Sequence, residues 1–278
     1  MTTGTGTVEE VAVERFVRVG RQRLRVLVQR PGAGRPLLLI NGIGATGELF
    51  EPLRDHLTDR ETIAFDAPGV GGSSTPLLPP TMGTLARQVG AMIDQLGHER
   101  VDVLGISWGG ALAQQLARTR PDLVRRLVLC ATMPGWGAIP GSPVALSILL
   151  SPLRYYSPAN LRQVAPVLYG GAIADNPELL DEHARLRNTR PPTQLGYTYQ
   201  LLAIQTWSSL PWLHRLESPT LVLAGDDDPI IPVANGHLLA SRIPDAELQV
   251  LPGAGHLFVF LKPEEVADRL RRFLDVDR

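Results

Sequence analysis

The chain has 278 residues, 44% of them hydrophobic and 20% charged, with 27 Lys+Arg against 28 Asp+Glu and a formal net charge of −1. Such a chain builds a core large enough to need no disulfide or metal staple. It carries no basic field to draw nucleic acid or an anionic membrane surface. Cys130 is the only cysteine, so an intramolecular disulfide is excluded, and its apolar surroundings (127–131) predict a buried, inert thiol.

The first seven residues are small and polar and are expected to be frayed. Residues 1–10 lack the basic and apolar regions of a secretory signal, and no apolar run reaches the ~20 residues of a membrane span. A cytoplasmic protein without integral membrane association is expected. Residues 11–19 and 24–28 then alternate apolar and polar, the period of half-buried antiparallel strands. Next come short, near-continuous apolar runs at 36–40, 62–65, 101–104, 127–129 and 220–224, and a final strand pattern at 248–251. Continuous runs suit strands buried on both faces of a parallel sheet. Helical spacing separates them at 82–96 (Leu85, Val89, Met92, Ile93 and Leu96 on one face), 111–117 and 263–274. Strands alternating with helices predict an α/β fold with a mostly parallel central sheet flanked by helices.

Residues 134–210 break the alternation. They show no convincing buried strand, are rich in Pro and Gly, and hold all five tyrosines. They are expected to form a helical lid inserted into a core made of 1–133 and 211–278. The alternative is two further strand–helix units.

Gly105-Ile106-Ser107-Trp108-Gly109 lies between the strand pattern 101–104 and the helix pattern 111–117. A serine on a sharp strand-to-helix turn is the arrangement of a nucleophile elbow. The turn is tight, so Gly105 and Gly109 must lack side chains, and Gly110 lets the helix start close to the sheet. The alternative is a glycine-rich turn with an ordinary capping serine. A serine hydroxyl is a weak nucleophile at neutral pH and needs a base oriented by a carboxylate. Downstream, Gly225-Asp226-Asp227-Asp228-Pro229 ends a strand in an acidic turn. Asp228, past the glycine and fixed by Pro229, is the selected acid, with Asp227 the fallback; the alternative is a solvated turn or a weak cation site. His256, after Gly253 and Gly255, is the selected base. His56, His98, His183, His214 and His237 read as ordinary surface or core residues.

Acyl transfer places negative charge on the carbonyl oxygen, which preorganised N–H groups must meet. One is expected from Trp108, the residue after the serine. The second is expected from Ile43 in the loop Asn41-Gly42-Ile43-Gly44-Ala45, where glycines such as Gly42 free the backbone to turn its N–H inward. The loop 66–73 is expected to shape the mouth of the site.

These blocks together resemble the α/β-hydrolase superfamily over nearly the whole chain, and most closely the intracellular depolymerases of medium-chain-length poly(3-hydroxyalkanoate). The resemblance rests on residues 39–45, 64–76, 105–115, Tyr169-Gly170-Gly171-Ala172, 221–232 and 255–258. Asn41-Gly42 is distinctive, because most α/β-hydrolases carry His-Gly there. The segment 174–193 matches the family only loosely. The resemblance implies an α/β-hydrolase fold with a helical lid and a Ser107–Asp228–His256 triad, without metal or cofactor. It implies a serine ester hydrolase cleaving aliphatic polyester through an acyl-enzyme, and a partner surface on storage granules. Alternatives are a general carboxylesterase or lipase, a carbon–carbon bond hydrolase, a cofactor-free haloperoxidase, or a non-catalytic ligand receptor on the same fold.

Overall fold

The structure, a computed structural model, describes residues 12–30, 32–173, 176–187 and 189–276. The first seven residues and Val11 lie outside the described residues. The strands are β1 (Val13–Val19), β2 (Gln22–Gln29), β3 (Gly34–Ile40), β4 (Arg60–Phe65), β5 (Val101–Ile106), β6 (Val124–Cys130), β7 (Thr220–Gly225) and β8 (Ala246–Leu251). They form one sheet in the order β1-β2-β4-β3-β5-β6-β7-β8. β2 runs antiparallel to β1 and β4, and all other neighbours are parallel.

The helices are α1 (Glu51–Asp55), α2 (Met82–Gln95), α3 (Trp108–Thr119), α4 (Pro143–Leu149), α5 (Leu153–Tyr156), α6 (Pro158–Tyr169), α7 (Pro177–Arg187), α8 (Gln194–Gln205), α9 (Val233–Arg242), α10 (Phe258–Leu261) and α11 (Pro263–Leu274). Successive strand residues face opposite sides of the sheet. On one side Leu38, Ile40, Val103, Leu129 and Val222 meet α2, α3 and α9 through Val89, Leu112, Leu116 and Leu239. On the other, Leu37, Leu39, Leu104, Val128 and Leu223 meet α1, α10 and α11 through Leu53, Phe258, Val266 and Leu270. Coverage on both faces is why the central strands read as unbroken apolar runs. Cys130 is buried in the second layer, and burial pushes its thiol well above the ordinary range.

Two expectations change. β1 does not alternate in burial: Val17 is buried, whereas Val13 and Phe16 are exposed. It is an edge strand paired only to β2, so its outer side chains meet no covering layer. The loop 66–73 contributes no residue to the cavity above β5. Asp66, buried, instead accepts the N–H of Gly47 and Gly72 at 3.0 and 2.9 Å, and Gly69 O accepts Thr193 N at 3.0 Å. The loop therefore braces the start of α8.

Helices α4–α8 all fall between β6 and β7. Among the described residues this stretch adds no strand to the sheet and makes one isolated bridge, Gly135–Ser208. Flanking bonds from Trp136 N to Trp207 O and from Ser209 N to Pro134 O, both 2.8 Å, tie its two ends together. Leu161, Leu168 and Ala184 form a separate apolar cluster with Ile230 and Leu257, which seats these helices on the loops after β7 and β8. Among the described residues no helix is long and apolar enough to cross a membrane.

Leu39 is fully buried at the centre of the sheet. Leu39→Ala leaves a cavity between two packed layers and should cost about 2–5 kcal/mol of unfolding free energy. Urea denaturation followed by circular dichroism measures it, and a loss below 1 kcal/mol would mean that the site collapses around the gap.

Candidate active site

Ser107 sits between β5 and α3 at φ 55° and ψ −119°. A side chain in this region is strained by about 1–3 kcal/mol and persists only where its surroundings dictate it. Those surroundings are glycines packed backbone to backbone. A Cβ on Gly105 would lie 2.4 Å from Gly109 O, and one on Gly109 would lie 2.2 Å from Ile40 O. A Cβ on Gly110 would lie 2.4 Å from Thr132 Oγ1. The turn is pinned from outside as well: Ser107 N donates to Cys130 O at 2.9 Å, and Thr132 Oγ1 donates to Ser107 O at 2.6 Å. The Ser107 hydroxyl caps nothing in its own helix, and among the described residues it makes no hydrogen bond. It opens into a small cavity at the N-terminal, positive end of α3.

His256 lines the same cavity and is 6% exposed. Its Nδ1 is 2.8 Å from Asp228 Oδ2. Asp228 Oδ1 accepts the N–H of Ile230 and Ile231, each at 2.9 Å, which fixes the carboxylate. The three aspartates of the acidic turn have separate tasks. Asp226 Oδ1 accepts Gly253 N at 2.6 Å, and Asp227 Oδ2 accepts Gly171 N at 2.7 Å. Asp228, not Asp227, therefore meets the histidine.

Tyr169-Gly170-Gly171 forms a clip across both loops. Tyr169 O accepts His256 N at 2.7 Å. Gly170 and Gly171 have φ of 60° and 59°, and a Cβ on them would lie 2.2 Å from Asp227 O and 2.4 Å from Gly255 N. No side chain fits there, and the positive φ itself favours glycine.

Ile43 lines the cavity beside Ser107. Among the described residues neither Ile43 N nor Trp108 N has a protein acceptor, so both stay available to a ligand oxygen. The backbone of Gly42 is not left-handed, and a Cβ there would meet Ser107 Cβ at an ordinary 3.6 Å. Gly42 keeps the space before the serine open. The left-handed glycine of the loop is Gly44, at φ 71°.

Asn41 braces this loop, accepting Gly42 N at 2.9 Å and donating Nδ2 to Thr46 O at 2.7 Å. Two residues from the helices above complete the bracing, and sequence reading missed both. Gln200 of α8 accepts Gly44 N through Oε1 at 2.7 Å, and its carbonyl accepts the Trp108 indole at 2.9 Å. The Tyr155 hydroxyl of α5 donates to Ile43 O.

Three further cavity residues also escaped the sequence reading: Arg154, His183 and Arg187, all buried. Tyr155 and Tyr169 line the cavity, and the two arginines give it a cationic wall. Burial and the neighbouring Arg187 charge hold His183 well below its ordinary 6.5, at about 3.

A nucleophile elbow, a histidine–carboxylate pair and a glycine loop at the strand ends of one mostly parallel sheet together define a class of fold. The family model described as alpha/beta hydrolase fold matches residues 35–263, and the chain belongs to that family. It is 46% identical over 267 residues to the poly(3-hydroxyalkanoate) depolymerase of Ectopseudomonas oleovorans, covering 95% of this chain and 93% of that one. Among solved structures it is similar to a hydrolase from Pseudomonas aeruginosa PA01, with TM-score 0.80, 25% identity and coverage of 95% and 98% of the two chains. It is likewise similar to a thermophilic esterase from Thermogutta terrifontis, with TM-score 0.78, 25% identity and the same coverages.

The unfolded chain takes up a proton on His183 near pH 6.5, whereas the folded chain does so only at about 3. Acidification therefore favours unfolding through this ring. Between pH 6.5 and pH 5 it should remove about 2 kcal/mol of stability. Urea unfolding of the protein and of His183→Asn at both pH values checks this: the variant should lose correspondingly less, and an unchanged slope would discard the buried neutral histidine.

Proposed function

We propose that the chain is a serine ester hydrolase cleaving aliphatic polyester, with medium-chain-length poly(3-hydroxyalkanoate) as its substrate. The observation that carries the reading is the 2.8 Å contact between His256 Nδ1 and Asp228 Oδ2 beside the strained Ser107 turn. The 46% identity to a poly(3-hydroxyalkanoate) depolymerase over almost the full length of both chains supports the substrate class.

In this mechanism Ser107 Oγ attacks the ester carbonyl and its proton passes to His256 Nε2. That hydrogen bond forms as substrate closes the site, where catalytic contacts commonly tighten. Asp228 holds the imidazole with its Nδ1 protonated and stabilises the imidazolium. The N–H groups of Ile43 and Trp108 receive the oxyanion. His256 then gives its proton to the departing 3-hydroxyl oxygen. Water, deprotonated by the same ring, releases the 3-hydroxyacyl group from Ser107.

We read 134–210 as a lid over this chemistry, its inner face made of the cavity residues of α4–α7. Val144, Leu150, Leu153 and Leu195 of this stretch are exposed and are read as its outer face. An apolar outer face suits an approach to the surface of a polymer granule in the cytoplasm.

Two substrates test the proposal side by side, a poly(3-hydroxyoctanoate) suspension and soluble p-nitrophenyl octanoate. The protein should clear the first with release of 3-hydroxyacids and hydrolyse the second, and Ser107→Ala should lose about 10²–10⁶-fold on both. Turnover of the soluble ester without polymer release would make the protein a small-ester carboxylesterase instead. Undiminished turnover in the variant would remove Ser107 from the chemistry.

The acidic turn gives a sharper comparison. Asp228→Asn should lower kcat by about 10⁴, whereas the isosteric Asp227→Asn, which keeps an acceptor for Gly171 N, should change it by less than about tenfold. The reverse order would return the acid to Asp227.

A further inference from the structure

Two guanidinium groups lie under the helices with no carboxylate among the described residues to balance them. Arg154 is 2% exposed and Arg187 5%, and both line the cavity that holds Ser107 and His256. Their partners are neutral. Arg154 Nη1 donates to Ser151 O at 2.9 Å, and Arg187 Nη1 donates to the Tyr169 hydroxyl at 2.6 Å. Both guanidinium carbons lie over the Tyr155 ring, at 4.9 and 3.9 Å from its centroid. Among the described residues the Nε of each is buried without a hydrogen-bond partner. Arg25 and Arg60, buried to the same depth, show what the fold does elsewhere: Arg25 meets Glu14, Glu48 and Asp66, and Arg60 meets Asp59 and Asp275. A buried, unbalanced cation is costly unless an anion completes it. Aromatic faces compensate in part, and they also hold the two planes in position. His183, kept neutral, supplies no counter-charge.

We propose that Arg154 and Arg187 form a carboxylate-binding subsite in the cavity of Ser107, and that it takes the free carboxylate of a 3-hydroxyacid, at the end of an oligoester or on the released monomer. Planar guanidinium groups match a carboxylate with paired N–H donors. In a 3-hydroxyacid unit only two carbons separate the carboxylate from the ester oxygen, so anchoring the anion sets the terminal linkage near the serine. The identity of the chain behind the carboxylate rests on the hydrolase reading above; the anion site itself does not.

The test has a binding arm and a kinetic arm, both with the full chain at pH 7. Calorimetry compares 3-hydroxyoctanoate with its methyl ester. The anion should bind at least tenfold more tightly, and Arg154→Met and Arg187→Met should bring the ratio towards one. Arg187→Lys, which keeps the charge but not the fork, should fall between and guards against a misfolded Met variant. The kinetic arm compares kcat/KM for the dimer of 3-hydroxyoctanoate as free acid and as methyl ester. A tenfold preference for the free acid assigns the site to the chain end, whereas equal rates with tight monomer binding assign it to the product. Equal binding of acid and ester by the unsubstituted protein overturns the proposal, as does a folded Arg187→Met that keeps the full preference. Failure of the hydrolase reading would appear separately, as absent turnover of p-nitrophenyl octanoate, and would leave the binding arm decisive.

Discussion

Everything around the proposed nucleophile depends on the approach of one backbone to another. Gly109 lies against the carbonyls of Ile40 and Asn41, and Gly105 lies against Gly109. With side chains at either position β5, α3 and the end of β3 would be forced apart. Their contact fixes Ser107 at a φ that serine rarely adopts and sets the loop of Ile43 beside it. Strain in the turn and proximity of the two N–H groups are therefore one feature. Neither exists without the apolar layers on both faces of the sheet, which hold β3 and β5 in register against it.

The proposed acid and base are held by a second device of the same kind. Three adjacent aspartates could repel one another, yet each carboxylate has its own donors: Gly253 N, Gly171 N, and the Ile230–Ile231 amides with His256. Charge here is used to fold loops as much as to orient a ring. The middle aspartate ties the turn to Gly171, so the helices between β6 and β7 take part in setting the histidine. The same helices bring cations to the cavity, so its polarity comes from residues far from the elbow in sequence.

The central strands were legible because burial on both faces leaves a continuous apolar run, and Ser107, Asp228 and His256 were legible because strand ends and glycines mark the positions such residues must occupy. Asp228 could be preferred over Asp227 from its place before Pro229, although only the contact with His256 separates them. Arg154, Tyr155, His183, Arg187 and Gln200 were not legible. They sit on helices whose cavity-facing sides carry no fixed periodic signature, and they meet only through packing between α5, α7 and α8. β1 misled for the opposite reason: its alternation is real in sequence, but no layer covers its outer face. Which glycine of the loop 41–45 is left-handed was not legible either: the positive φ falls on Gly44, two residues past Gly42.

The helices above the cavity grip the chemistry at three separate points. Tyr155 holds the Ile43 carbonyl, Gln200 holds Gly44 N and the Trp108 indole, and Tyr169 O holds His256 N. Lifting these helices to admit a bulky chain would release all three at once. The position of these helices and the order of the loops that carry Ile43 and His256 are thus coupled: neither changes without the other.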